Sequence, residues 1–361
     1  MSNTATNANA ISPAERGRAF QMATRQNYHM MAKQTVFTGA TNMRFELPKA
    51  RFLSKILVKF TAKLKITHAS ETTVPVDEFT PYKLIRNIQL NLNNGFHPFD
   101  VGGKELALLN AIRLQPSIIF PQSSNNEGYC YMPILTASTT GADNEMAFTV
   151  EMPVTLNDRD AIGLLLLQAT DNLTVLSIDI ANGNDVIDNA SGYTCEIKEV
   201  TAKPMLETFS IPVSPNAYPD LSVLKLVNSR VQQFVGSGQN IVSLPVGTTY
   251  RKIAFIVTDE NGEPLADSDI EGNIELVFNQ ADCNYSISAD MLRSLNELQL
   301  GYPLPKGCYV FDFSNNGIPN YGGTRDFVDS TLLSEMWLRF STKKGGRINI
   351  IYEQIATLKK A

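Results

Sequence analysis

Three histidines, four cysteines and a few close pairs of acids are the residues of this 361-residue chain whose types could do chemistry. A histidine can ligate a metal or move a proton, but His29, His68 and His97 are dispersed. No two have the spacing that puts ligands on one element, and none stands in the order of a catalytic triad. Cys130, Cys195, Cys283 and Cys308 lie far apart, without a C-x-x-C pair or a nearby histidine, which predicts reduced, buried thiols. Asp158 with Asp160, and Asp326 with Asp329, are acid pairs of the kind that can hydrolyse a glycosidic bond, but they fall in stretches that read as solvated loops. "NDRDA" and "DSDIEGN" (Asp267 to Asn273) alternate oxygen ligands suited to calcium, yet neither completes the calcium-loop pattern. "YGGTRD" (Tyr321 to Asp326) lacks the second glycine followed by Lys-Ser/Thr of a phosphate loop and reads as a turn. Asn172, Asn189 and Asn284 open glycosylation triplets in form only, because no secretion signal precedes them. The sequence predicts no catalytic residue, no metal ligand and no cofactor.

The elements that would position such residues are almost all strands. In "RFLSKILVKFTAKLKI" (Arg51 to Ile66), Ile56, Val58, Phe60, Ala62, Leu64 and Ile66 alternate with Lys55, Lys59, Lys63 and Lys65. A side-chain period of two sends the first set to a core and the lysines to the other face. Ile88, Leu90 and Leu92 alternate before an Asn93-Asn94-Gly95 turn, and Met146, Phe148, Val150 and Met152 repeat the pattern, as do Leu176, Ile178 and Ile180. Strands resume after Pro212, with an Asn261-Gly262 turn among them. Two helical stripes interrupt, at 103–113 and 288–300. This predicts an all-β chain of two similar sandwiches, 49–206 and 207–361. Arg159-Asp160 and Arg325-Asp326 fall in matching places of the two halves. Trp337, alone of its kind, sits in an apolar-alternating strand and is expected in the core.

Charge divides unevenly. Residues 1–70 hold eleven basic and two acidic residues, a net of +9, within a chain whose overall net charge is -5. Such asymmetry predicts a basic arm or face meeting something anionic, on an acidic body. Residues 1–48 read as the arm. Ser12, Pro13 and Glu15 form a helix start, and the pattern extends the helix over about 12–33. Its apolar residues, among them Phe20, Met22, Met30 and Met31, are too sparse for independent stability, and Arg16, Arg18, Arg25 and Lys33 accompany them. The helix is expected to need a partner outside its own chain. No run reaches the roughly 18–20 apolar residues of a membrane-spanning helix, and the first residues lack the order of a signal peptide, so synthesis in the cytosol is expected.

Two blocks carry a family resemblance. "FLSKILVKFTAKLKITHASETTVPVDEFTPYKLIRNIQLNLNN", with its Glu78-Phe79-x-Pro81 turn, resembles the first two strands of tectivirus major capsid proteins. "YPLPKGCYVFDF" followed by "MWLRF" is similar to that family's Pro-Lys-Gly-x-Tyr strand and the strand after it. The resemblance implies two jelly rolls in one chain and pseudo-hexagonal homotrimers tiling an icosahedral shell over an internal membrane. Minor capsid and vertex proteins would be partners, and an N-terminal helix would lie under the capsomer. Short loops after Gly128 and Asp259 argue against large outward towers.

On this reading Arg16, Arg18, Phe20, Met22, Arg25, Met30, Met31 and Lys33 face an anionic membrane surface, with help from Lys343, Lys344, Arg347, Lys359 and Lys360. Lys55, Lys59, Lys63 and Lys65 meet either water or the acidic body of a neighbouring subunit. A second reading, a two-jelly-roll carbohydrate-binding or glycan-processing protein, needs aromatic platforms. A third, nucleic-acid binding, needs interleaved arginines and aromatics, of which Arg16, Phe20, Arg25 and Tyr28 offer little, so no specific nucleic-acid partner is expected.

Overall fold

The computed structural model describes residues 13–93, 95–114, 116–120, 128–156, 161–168, 173–236, 238–315 and 327–357. Helix α1 (Pro13–Ala23) leads into β1 (Gln26–Met30), β2 (Gln34–Val36), β3 (Asn42–Glu46) and the long β4 (Phe52–Thr67). After β5 (Ile85–Leu92) and β6 (Phe96–Val101) come α2 (Gly103–Arg113) and α3 (Pro116–Ile119). The first half closes with β7 (Cys130–Tyr131), β8 (Ala142–Pro153), β9 (Leu165–Leu166), β10 (Thr174–Ile180), α4 (Gly183–Val186) and β11 (Thr194–Phe209). The second half holds β12 (Val223–Phe234), β13 (Gly238–Leu244), β14 (Thr249–Asp259), β15 (Ile270–Phe278), β16 (Asp282–Ser288) and α5 (Ala289–Leu300). It ends with β17 (Cys308–Asp312), β18 (Val328–Asp329), β19 (Met336–Thr342) and β20 (Gly346–Thr357).

Three sheets make two sandwiches. One sheet, in the order β1-β11-β4-β8-β7, belongs to the first half, and another, β13-β19-β15-β16, to the second. The third, β17-β14-β20-β12-β6-β5-β10-β3, runs through both. Its two parts join where β12 and β6 pair in parallel, at Val227 with Phe99 and Asn228 with Asp100. Val227, Ala254, Ile256 and Ile351 of the second half belong to the core of the first, so the sandwiches form one continuous body.

The alternating strands fold as their period dictates. Ile56, Val58, Phe60, Ala62, Leu64 and Ile66 are buried, and Phe60 stacks on Phe148 of β8 at 5.1 Å. Such a ring pair adds about 0.5–1.5 kcal/mol beyond its buried area. The Phe79–Pro81 turn is a short 3-10 helix, Thr80–Leu84. Asp77 organises it, accepting from the Phe79 amide (3.1 Å), the Thr80 hydroxyl (3.0 Å) and Lys83 (2.7 Å). In the Pro-Lys-Gly-x-Tyr stretch, Gly307 has φ +73°, and a Cβ there would lie 2.7 Å from the Val257 carbonyl. Only glycine meets both demands.

The N-terminal region departs from expectation. The helix stops at Ala23 rather than continuing to Lys33, and the Thr24 amide and hydroxyl both bond the Phe20 carbonyl. Residues 26–30 then pair antiparallel with β11 from Phe209 to Met205, and β2 and β3 join β11 and β10. The edge of β11 offers backbone partners that outweigh a weak helical preference. Strands therefore begin before Pro48, and the helix docks on its own chain. Phe20 is 4% exposed and packs against Phe52 and Phe209 at 6.1 and 5.6 Å between ring centres. Position 206, the expected boundary between the halves, lies inside β11, which runs on to Phe209. Trp337 alternates outward and is half-buried, while Met336, Leu338 and Phe340 fill the core. Ser12, the Asp158-Arg159-Asp160 and Tyr321–Asp326 loops, Asn172, Lys359 and Lys360 lie outside the described residues.

Candidate functional site

The outer face of β4 is built by register. Lys55 stands between Glu151 of β8 (3.3 Å) and Glu207 of β11 (3.5 Å), and Arg113 of α2 also reaches Glu151 (3.0 Å). Both glutamates are buried. Lys63 pairs with Glu199 at 3.1 Å, and this contact raises the lysine pKa. Lys65 lies in register with Asp143 and Glu196. Lys59 differs, because its cross-strand neighbours are Thr149 and Lys203. Lys55 and Lys63 therefore meet acids of their own sheet, a third outcome beside water and a neighbour. The exposed Lys63 pair contributes little.

The arm residues divide. Arg16, Arg18, Arg25 and Lys33 are exposed, Met22 is 90% exposed, and Phe20 is buried. Met30 is not on a helix but on β1, opposite Met205, and is 48% exposed, while Met31 is half-buried. The N-terminal region thus carries exposed cations with scattered apolar side chains. That combination suits an anionic surface rather than a reaction.

A second charged group was not legible from the sequence. Lys225 of β12 and Glu353 of β20 pair at 3.1 Å with their side chains 1% and 3% exposed. Arg251 of β14 lies 3.5 Å from the same carboxylate. Lys225 and Arg251 also donate to the carbonyls of Thr155 and Leu156 in the first half, each at 3.4 Å. Burial pushes the Glu353 carboxyl up, but Lys225, Lys252 and Arg251 outweigh it and hold it below its usual range. Burial draws Lys225 down, against the pull of Glu353. The two shifts favour opposite protonation states of the pair. The 3.1 Å contact, with three cations around one carboxylate, makes the ionised pair the ground state. These groups sit at the seam and tie the sandwiches together. Single charges inside strands that otherwise read as apolar were the available signal.

A cleft of about 590 Å³ lies between the halves, lined by Lys83, Asp100, Glu105, Asp188, Arg347 and Asn349 among others. Among its charges, Lys83 bonds Asp77 and Asp188, and Glu105 accepts from Asn349. In the 267–273 stretch Asp267 bonds Tyr309 (2.6 Å) and Arg293, and Asp269 bonds Lys344 (3.2 Å). Among the described residues no cluster of His, Cys, Asp and Glu could hold a metal ion. The histidines sit on separate elements, and His68 uses Nδ1 to accept from the Ser70 and Glu71 amides. Cys130, Cys195 and Cys308 are buried free thiols, and burial pushes the first two up to about 11 and about 12. Cys283 is exposed on β16, contrary to the expectation that all four are buried.

No family model matches the sequence, and no curated protein matches it. Solved structures do match. The "STIV MCP", from Sulfolobus Turreted Icosahedral Virus, aligns at 15% identity over 92% of this chain and 97% of its own, with TM-score 0.69. PBCV-1 VP54 aligns at 10% identity over 92% and 93%, with TM-score 0.63. The major capsid protein of bacteriophage PM2 aligns at 12% identity over 93% and 99%, with TM-score 0.56. At these identities the likeness is one of fold: an all-β chain of two jelly rolls, as in double jelly-roll major capsid proteins.

Proposed function

We propose that this chain is a major capsid protein that forms the shell of an icosahedral virion. The observation that carries the reading is the match of both jelly rolls, in order and over nearly the whole of each chain, to capsid proteins of several viruses. The tectivirus resemblance of the two sequence blocks adds the finer terms. These are a homotrimeric capsomer of pseudo-hexagonal outline, a lattice over an internal membrane, minor capsid and vertex partners, and a bacteriophage made in the host cytoplasm. The role is structural rather than enzymatic.

In the proposed shell, Arg16, Arg18, Met22 and Arg25 face the membrane. Each basic residue near an anionic leaflet contributes about 1 kcal/mol, and salt screens it within about 8 Å at physiological strength. Electron microscopy of the protein with anionic vesicles should show pseudo-hexagonal tiles on the lipid at low salt and fewer at high salt. Replacing Arg16, Arg18 and Arg25 by glutamine should weaken lipid binding by about 3 kcal/mol while tiles still form. Equal binding by both proteins would remove the membrane from the proposal. An absence of tiles under all conditions would count against the shell.

A further inference from the structure

We infer that the outer face of β4, β11 and β1 and the outer face of α5 are the two halves of one contact between copies of this chain. The inference deepens the shell reading and rests on it.

The first half is a pair of parallel lines. Leu57, Met205 and Met30 align across the three strands as an apolar line. Beside it, Lys59 lies directly opposite Lys203. Lys33 adjoins Lys203, between the Met31 amide bond to Pro204 and the Gln34–Ala202 pairing. All three lysines are exposed, and among the described residues none forms an ion pair. Like charges facing each other across strands are unfavourable until an anionic surface covers them.

The second half has the same form and the opposite sign. Met291, Leu295 and Leu298 are 58%, 39% and 81% exposed and share one side of α5. Asp290 and Glu297, also exposed, flank this stripe along a second line. Arg293, the basic residue of the helix, is turned away to Asp267 and the Leu304 carbonyl. Leu295 also lines a groove of about 270 Å³ walled by Tyr285, Phe311 and Phe313, which extends the apolar ground.

The dimensions agree. Three adjacent strands span about 10 Å. Seven residues of helix rise about 10.5 Å. Each charged line is as long as the apolar line beside it. Two basic faces repel each other, as do two acidic ones, so a two-fold contact of like with like is disfavoured. A contact of one face with the other is heterologous, and such contacts close into rings when the rotation allows. A three-membered ring is the closure that the shell reading needs.

Charge reversal tests this by sedimentation of the purified chain. Lys59→Glu with Lys203→Glu, and separately Asp290→Lys with Glu297→Lys, should each weaken association about a hundredfold. All four changes in one chain should restore it. Leu298→Ser alters an exposed side chain, spares the fold, and should weaken association as well. Melting temperatures check that each variant is folded. Both double variants assembling like the unmodified protein would overturn this contact and leave the shell reading standing. Loss in both without recovery in the fourfold variant would also overturn it. An unmodified chain that never associates would overturn the contact and the shell together.

Discussion

Replacing Glu353 by alanine is expected to cost about 3–5 kcal/mol of stability, because it leaves a buried cation without its counter-charge. Lys225 is 1% exposed, and its carbonyl partner at Thr155 cannot neutralise it. Replacing both partners together, Lys225→Met with Glu353→Leu, should recover most of the loss, since a well-packed apolar pair substitutes for a buried ion pair at little cost. The carboxyl also sets an acid limit. Its pKa is lowered in the folded chain. Its contribution is therefore complete above the unfolded value of about 4.3 and fades as pH falls through the lower folded value. Thermal melting between neutral and acid pH checks this. The unmodified protein should lose stability over that window more steeply than the Met/Leu double variant. A Glu353→Ala protein within about 1 kcal/mol of the original would show that the seam is not held by this pair.

Replacing Phe20 by alanine is expected to cost about 3 kcal/mol, the cost of emptying a buried aromatic site. Phe20 closes the space over Phe52, Phe209 and Leu164, and α1 has no other large buried side chain among its described residues. The helix should detach, and proteolysis after Arg16 and Arg18 should quicken as melting falls. Met22→Ala, at an exposed site on the same helix, should change neither. Equal effects of the two substitutions would mean that docking does not depend on the ring. For the same reason, deletion of residues 1–33 should destabilise the body. It removes β1 from β11 as well as the Phe20 anchor.

That last expectation reverses what the sequence alone implied, and the reason is instructive. The body strands were legible because their information is local. Ile56 to Ile66 alternate for the length of β4, and nothing within the run breaks the period. Helix α2 was legible at 103–113 for a similar reason, with Gly102 and Gly103 at its start and an apolar stripe along it. "QNYHM" has no such period. It is a strand because β11, some 180 residues later, presents an open edge. Propensity cannot see that partner. Residue type misled at Trp337, where an aromatic was assigned to the core although the period shared by Met336, Leu338 and Phe340 places it on the opposite face. The lysines alternate with the buried residues of β4, but the acids that pair with them sit on β8 and β11, so that pairing emerged only from register. The seam charges Lys225, Arg251 and Glu353 were invisible because the sequence does not say which strands of the two halves adjoin.

The native mass of the purified chain in solution tests the central claim most directly. Light scattering at micromolar concentration should give three times the 39.8 kDa of one chain, the mass of the proposed homotrimer. A mass of 39.8 kDa that persists at every concentration and salt would contradict it.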